Sequence, residues 1–244
     1  MANLDAATPG LQAESETPPY RVPHSQEPIR VLYEDNDILL IDKPHLLLSV
    51  PGRHPCNRDS LITRLKHRYP HVAASHRLDL DTSGLLAVPR HRTALAALNR
   101  QFQERSVEKT YRALVWGEVA GQQGEINLPL IADWHNRPKQ KVCHNEGKPS
   151  LTRFSVLDRG RNCTLLALFP ITGRSHQLRL HLQAIGHPIL GCDLYAHADA
   201  LEAAPRLLLH ATRLTLNHPT TGRRLAAASP TPFDVNGILP TRPG

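Results

Sequence analysis

Apolar residues in this chain fall in short blocks, most of them of strand length. IRVLYED and ILLIDKP meet at Asp35-Asn36-Asp37 and predict a hairpin. Leu61, Ile62 and Leu65 share one face of a helix over 61–69, which Asp59 or Ser60 can cap and which ends before Pro70. GLLAVPR (84–90) reads as a buried strand. Leu95, Leu98 and Phe102 make 93–105 an amphipathic helix, and TYRALVWGEV (110–119) has the β-branched and aromatic content of a strand. Residues 128–150 show almost no periodicity and read as a loop. LTRFSVLD and CTLLALFPI predict a second hairpin about 159–162. HQLRLHLQAIG reads as a short helix opened by Ser175 or Gly173, with Leu178, Leu182 and Ile185 inward and Gly186 as its stop. HATRLTLNHP and RRLAAASP are late strands.

Strands outnumber helices and do not alternate with them, which argues against a doubly wound parallel sheet. The expected fold class is α+β, a single domain over 29–230 on a mostly antiparallel mixed sheet flanked by helices and loops. Residues 1–28 hold five of the 21 prolines and little apolar periodicity, so they are expected to be a disordered tail, as are 231–244.

Composition narrows the class. Of the 244 residues, 40% are hydrophobic and 21% charged, ordinary for a soluble protein. There is no apolar run of about 18 residues to span a membrane, and MANLDAATPG lacks the basic start and apolar stretch of a secretory leader. A cytoplasmic location is expected. The four cysteines are widely spaced with no CxxC, which points to free thiols rather than disulfides or a zinc site. Charge is more telling. Residues 1–28 carry four acids against Arg21, while the remaining 28 basic and 18 acidic side chains leave the body at +10. Of the 29 basic residues 23 are arginine, whose fork binds phosphate and stacks on bases. A polyanionic partner, RNA or DNA, fits.

Two segments concentrate chemistry. HRLDLDTSG (76–84) carries Asp79 and Asp81 among His76, Arg77, Thr82 and Ser83, directly before an apolar run. It is either a solvated turn or an active-site loop on a sheet rim. Its similarity to the DxDxT signature of aspartyl-phosphate phosphatases fails, because Ser83 stands where that signature needs threonine. ITGRSHQLR (171–179) puts Arg174 and Ser175 at a helix mouth, where free N–H groups favour an anion. Its glycine does not make a P-loop.

Taken together, HRLDLDTSGLLAV, KTYRALVWG and ITGRSHQLRLH resemble the three signature segments of the RluA family of pseudouridine synthases. The resemblance runs from about Ile29 to Pro230. LLSVPGR (47–53), DWHNRPKQKVC (133–143) and PRLLLHA (205–211) are similar to the member that acts on both ribosomal and transfer RNA. It implies an isomerase that converts specific uridines to pseudouridine in structured RNA loops, in 23S-type ribosomal RNA and the tRNA anticodon stem-loop. It implies Asp79 as the catalytic carboxylate, Tyr111 as the tyrosine against the target base with a part in proton removal, and Arg174 as the arginine paired with Asp79. Arg77 resembles the residue that fills the space of a flipped base, and Asp81 is left as a turn residue. RNA contacts are expected from His76, Arg77, Arg92, Arg137, Lys139, Lys141 and Arg179. The resemblance implies no metal and no organic cofactor, and a monomer is expected.

The reaction breaks the uracil N1–C1′ bond, turns the base and rejoins it through C5. A carboxylate can add and later leave, or take a proton from C2′. It must stay ionised in a desolvated place, which a buried arginine neighbour permits by lowering its pKa. One departure stands out: the early Lys43-Pro44-His45-Leu46 segment has Leu46 where a glycine often follows.

Overall fold

The computed structural model describes residues 21–238. In chain order they form β1 (Arg30–Glu34), β2 (Ile38–Lys43), α1 (Leu61–Lys66), β3 (Ser83–Pro89), α2 (Arg92–Gln103), β4 (Glu108–Trp116), β5 (Gln123–Asn127), β6 (Leu130–Ala132), β7 (Gln140–Val142), β8 (Leu151–Gly160), β9 (Cys163–Pro170), α3 (Gln177–Ala184), α4 (Ala198–Glu202), β10 (Leu209–Asn217), β11 (Arg224–Ala228), β12 (Phe233–Asp234) and β13 (Gly237–Ile238). The fold is α+β, as the strand-rich pattern predicts.

Eight strands lie in the order β1-β2-β3-β10-β4-β9-β8-β5, and β11 joins as a ninth on β10. Every pairing is antiparallel except β3 with β10. That parallel contact is short, His210 opposite Ser83 and Ala211 opposite Gly84. Gly84 allows it: its φ is +109°, and a Cβ there would lie 2.3 Å from the Ala211 carbonyl oxygen.

Two hydrophobic clusters meet at this seam. One is formed by Ile38–Ile41, α1, Leu85–Val88 and Leu98. The other joins Ala113–Val115, Leu165, Leu166 and Leu168 with Leu178, Leu182 and Leu207–Leu209. Tyr111 packs against both. A residue at this central position of β4 is therefore fixed by the whole fold.

The structure departs from the sequence expectations in identifiable places. The loop expected over 128–150 contains the β6–β7 hairpin, in register Leu130–Val142 to Ala132–Gln140. Its strands are three residues long, too short to show a period of two. β5 and α4 were not expected either. The ordered body also reaches past 29–230. Within the expected N-terminal tail, Ser25 is buried and its carbonyl accepts from Arg64 at 2.8 Å, while the Val22 N–H donates to Asn57 Oδ1 at 2.9 Å. Within the expected C-terminal tail, Phe233 is buried in the core. The rest of both expected tails, 1–20 and 239–244, lies outside the described residues. The missing glycine leaves the turn intact, with Leu46 held at φ +55°.

Candidate active site

The loop carrying Asp79 is held on either side of that residue. Before it, Ser49 Oγ donates to the Leu78 carbonyl at 2.7 Å and accepts from the Leu78 N–H at 3.0 Å. After it, the buried Lys43 ammonium donates to the carbonyls of Leu80 (3.3 Å), Pro44 (2.8 Å) and Leu47 (2.7 Å). Burial lowers the Lys43 pKa to about 7, against the pull of the Asp79 and Asp81 charges. The Thr82 N–H closes the turn on the Asp79 carbonyl at 3.2 Å. Such clamping fixes the direction of one side chain at a sheet rim.

Beyond the turn, Ser83 enters a buried chain. Arg206 Nη2 donates to Ser83 Oγ at 2.7 Å, Ser83 Oγ meets His210 Nδ1 at 2.8 Å, and His210 Nε2 meets Ser229 Oγ at 3.0 Å. Ser229 Oγ donates to Asp42 at 2.7 Å. These donor and acceptor roles require the neutral tautomer of His210 with its proton on Nε2.

Asp79 opens into a cleft of about 690 Å³, within the range that takes a small ligand or nucleotide. His76, Arg77, Tyr111, Arg174 and Arg179 line the same cleft, so six of the expected site residues converge. Arg92, Arg137, Lys139 and Lys141 lie outside it, all exposed, Arg92 at the start of α2 and the others on the β6–β7 hairpin.

The partner of Asp79 is not the expected arginine. Arg179 Nη1 lies 3.9 Å from Asp79 Oδ2. Arg179 is buried on the first turn of α3, with Nη2 on Asp193 Oδ1 at 2.5 Å and Nε on Cys192 Sγ at 3.3 Å. Its pKa is raised by the neighbouring Cys192, Asp79 and Asp193, which outweigh its burial. That burial leaves Arg179 little surface to offer RNA, and only at the cleft wall. Arg174, expected in the pairing role, instead turns Nε to the Pro149 carbonyl at 3.3 Å. Neither Ser175 nor Gly173 caps α3. His176 sits at the N-cap in the left-handed region, and Gln177 Oε1 accepts from Thr172 Oγ1 at 2.7 Å and from the Arg174 N–H at 3.0 Å.

His76 lines the cleft with one ring nitrogen already engaged inside the fold. Its Nε2 accepts from the Ala87 N–H at 2.9 Å and its ring lies 4.4 Å from Phe102. Burial holds its pKa down at about 3, so it is neutral. Tyr111 is pushed the other way: burial and the Asp79 charge raise its hydroxyl above the ordinary range. Lys109 also lines the cleft, its pKa lowered by burial. Asp81 does not line the cleft, and burial with Asp193 and Asp79 nearby raises its pKa. The two carboxylates of the motif thus face different surroundings.

Sequence reasoning did not single out Asp193 or Tyr195. The Tyr195 ring lies 5.6 Å from the Arg179 guanidinium, and its hydroxyl meets His176 Nδ1 at 2.8 Å. Their segment, GCDLYAH, carries the only available signal, a polar pair beside two aromatic or imidazole rings. Among the described residues, one cluster has metal-ligating geometry: Asp35, Asp37 and His218. It lies by the β1–β2 turn, near the far end of β3, and Asp35 already accepts from Tyr33, His218 and two backbone N–H groups. No helix among the described residues is long and apolar enough to cross a membrane.

Comparison with known proteins gives the family. Residues 37–184 match the family model described as RNA pseudouridylate synthase. The chain is 51% identical over 194 residues to the dual-specificity RNA pseudouridine synthase RluA of Vibrio vulnificus, covering 78% of each. It is 48% identical over 210 residues to the protein of that name from Escherichia coli K12, covering 85% of this chain and 96% of the relative. Among solved structures, human RNA pseudouridylate synthase domain containing 1 superposes with a TM-score of 0.73 at 31% identity, over 88% of each chain. The chain belongs to the RluA family of RNA pseudouridine synthases.

Proposed function

We propose that this enzyme isomerises uridines in both ribosomal and transfer RNA, with Asp79 as its catalytic carboxylate. The observation that carries the assignment is the Asp79–Arg179 pair in the cleft: a carboxylate 30% exposed, with a cation on its protein side that is itself 2% exposed. At 3.9 Å the contact is an ion pair rather than a hydrogen bond. Asp79 keeps lone pairs for the nucleotide, while the buried cation balances its charge on the protein side of the cleft.

Tyr111 meets the base as a neutral phenol. To act as a base it must first lose its own proton, which its burial and the Asp79 charge oppose. Arg77, exposed on the cleft rim, fills the place of the flipped nucleotide and offsets part of a cost of a few kcal/mol. Arg92, Arg137, Lys139 and Lys141 hold backbone phosphates outside the cleft. The dual substrate range follows the names of the relatives. The enzyme acts as a monomer in the cytoplasm, on a catalytic domain that includes residues 29–230, and its chemistry needs no metal.

The test is release of tritium from transcripts labelled at uracil C5, with ribosomal and transfer RNA offered separately. Rearrangement expels that hydrogen, whereas binding or hydrolysis retains it. Release from one RNA class alone would remove the dual range and leave the reaction.

A further inference from the structure

We propose that Trp134, with Arg137 stacked behind it, is a platform on which an unpaired base of the substrate RNA stacks. The proposal rests on the RNA reading above and adds a contact to it. Trp134 opens a 3-10 turn at the tip of the β6–β7 hairpin and is 66% exposed, the most open large apolar side chain of the described residues. The Arg137 guanidinium carbon lies 3.5 Å from the Trp134 ring centroid and occupies one face of the indole. The ring's remaining exposure leaves room for a second flat group.

The tip is preorganised. The Asp133 N–H donates to the Lys139 carbonyl at 3.0 Å, the Lys139 N–H donates to the Asn136 carbonyl at 2.9 Å, and Asn136 Nδ2 donates to Asp133 Oδ2 at 2.9 Å. A ring held by such a turn loses little freedom on binding. The hairpin is also tied to the catalytic wall. The Gln140 N–H donates to Tyr195 Oη at 2.8 Å, and Tyr195 faces Arg179, the partner of Asp79.

Charge selects the kind of ligand. Arg137 lies on the ring and Lys139 and Lys141 are exposed on the same hairpin, while Asp133 is engaged by Asn136. An aromatic face amid cations suits a base with its phosphate better than an apolar protein surface. Stacking is tolerant of base identity, as two unlike RNA classes require.

The test uses full-length protein and a stem-loop transcript that the wild type pseudouridylates. Trp134→Ala is expected to raise Kd and KM about tenfold or more, with kcat at saturating RNA and the salt slope of binding unchanged. Trp134→Phe is expected to recover most of the loss. In Trp116→Phe, Trp134 is the single tryptophan, since the chain holds two, and RNA is expected to protect its fluorescence from acrylamide. A Trp134→Ala Kd within twofold of wild type, or unprotected fluorescence, overturns the platform and leaves the ring to a protein contact. If the wild type releases no tritium from any RNA, the parent reading fails instead.

Discussion

Arg179 reaches Asp79 with one arm of its guanidinium while the other is anchored elsewhere: Nη1 lies 3.9 Å from Asp79 Oδ2, and Nη2 2.5 Å from Asp193 Oδ1. Asp193 is 59% exposed and Arg179 only 2%. The exposed acid therefore orients the buried cation, and the cation in turn faces the acid in the cleft. Asp79→Asn keeps the shape of that carboxyl and removes its charge. It is expected to abolish tritium release while leaving the Kd for RNA within a few-fold of wild type. Normal turnover by this variant would remove Asp79 from catalysis.

The two arginines of the ITGRSHQLR segment are expected to behave differently. Arg179→Ala strands Asp79 and Asp193 beside an emptied site. It is expected to abolish activity and to lower stability through the packing lost with a buried side chain, readable in urea unfolding. Arg174→Ala removes a side chain bonded to the Pro149 carbonyl and is expected to keep kcat within about tenfold of wild type. The reverse ranking would return the pairing role to Arg174.

That pair marks how far sequence carries. Asp79 was singled out by the resemblance of HRLDLDTSG to a family segment, since a polar loop before a buried strand also fits a solvated turn. The arginine was not. Arg174 and Arg179 lie five residues apart in one motif, and only the placement of α3 decides which turns inward. The expectation of Leu178, Leu182 and Ile185 on a single inward face fails there, because Gln177 to Leu182 are all buried and Ile185 is 37% exposed. Over its first six residues α3 is enclosed and shows no polar stripe to read; only Gln183 and Ala184 at its end are exposed. Asp193 and Tyr195 lie 14 and 16 residues beyond Arg179, and nothing local joins them to it. The β6–β7 hairpin was hidden for another reason: its strands pair through backbone groups and carry no apolar alternation.

Asp193→Asn is expected to loosen the Arg179 fork without exposing it. If Asp193 only positions Arg179, kcat falls about tenfold to a hundredfold while KM stays near wild type, and Asp193→Glu recovers part of the loss. A change confined to KM would instead make Asp193 an RNA contact.

Lys139 and Lys141 are exposed on the β6–β7 hairpin. If both neutralise phosphates, replacing them with alanine lowers the slope of log Kd against log salt by roughly 1 to 2, with kcat at saturating RNA unchanged. An unaltered slope would clear the hairpin of phosphate contact.

The buried chain behind the catalytic loop makes stability depend on pH. His210 accepts from Ser83 on Nδ1 and donates from Nε2 to Ser229, whose hydroxyl is spent on Asp42. Protonating Nδ1 would aim a second N–H at Ser83 Oγ, which already accepts from Arg206. Burial foremost, and then the nearby Arg206, hold the His210 pKa down at about 4, against an ordinary 6.5. Between those values the unfolded chain binds the proton and the folded chain does not. His210 thus contributes stability that is fully present above pH 6.5 and is lost as pH falls toward 4, on the order of 3 kcal/mol in all. His76, with its pKa near 3, adds a loss of the same sign. His210→Gln can still donate to Ser229 and accept from Ser83, yet it does not titrate. It is expected to show a shallower fall in urea midpoint than wild type between pH 7 and pH 4.5. An equal fall in both proteins would mean that His210 is not the titrating group.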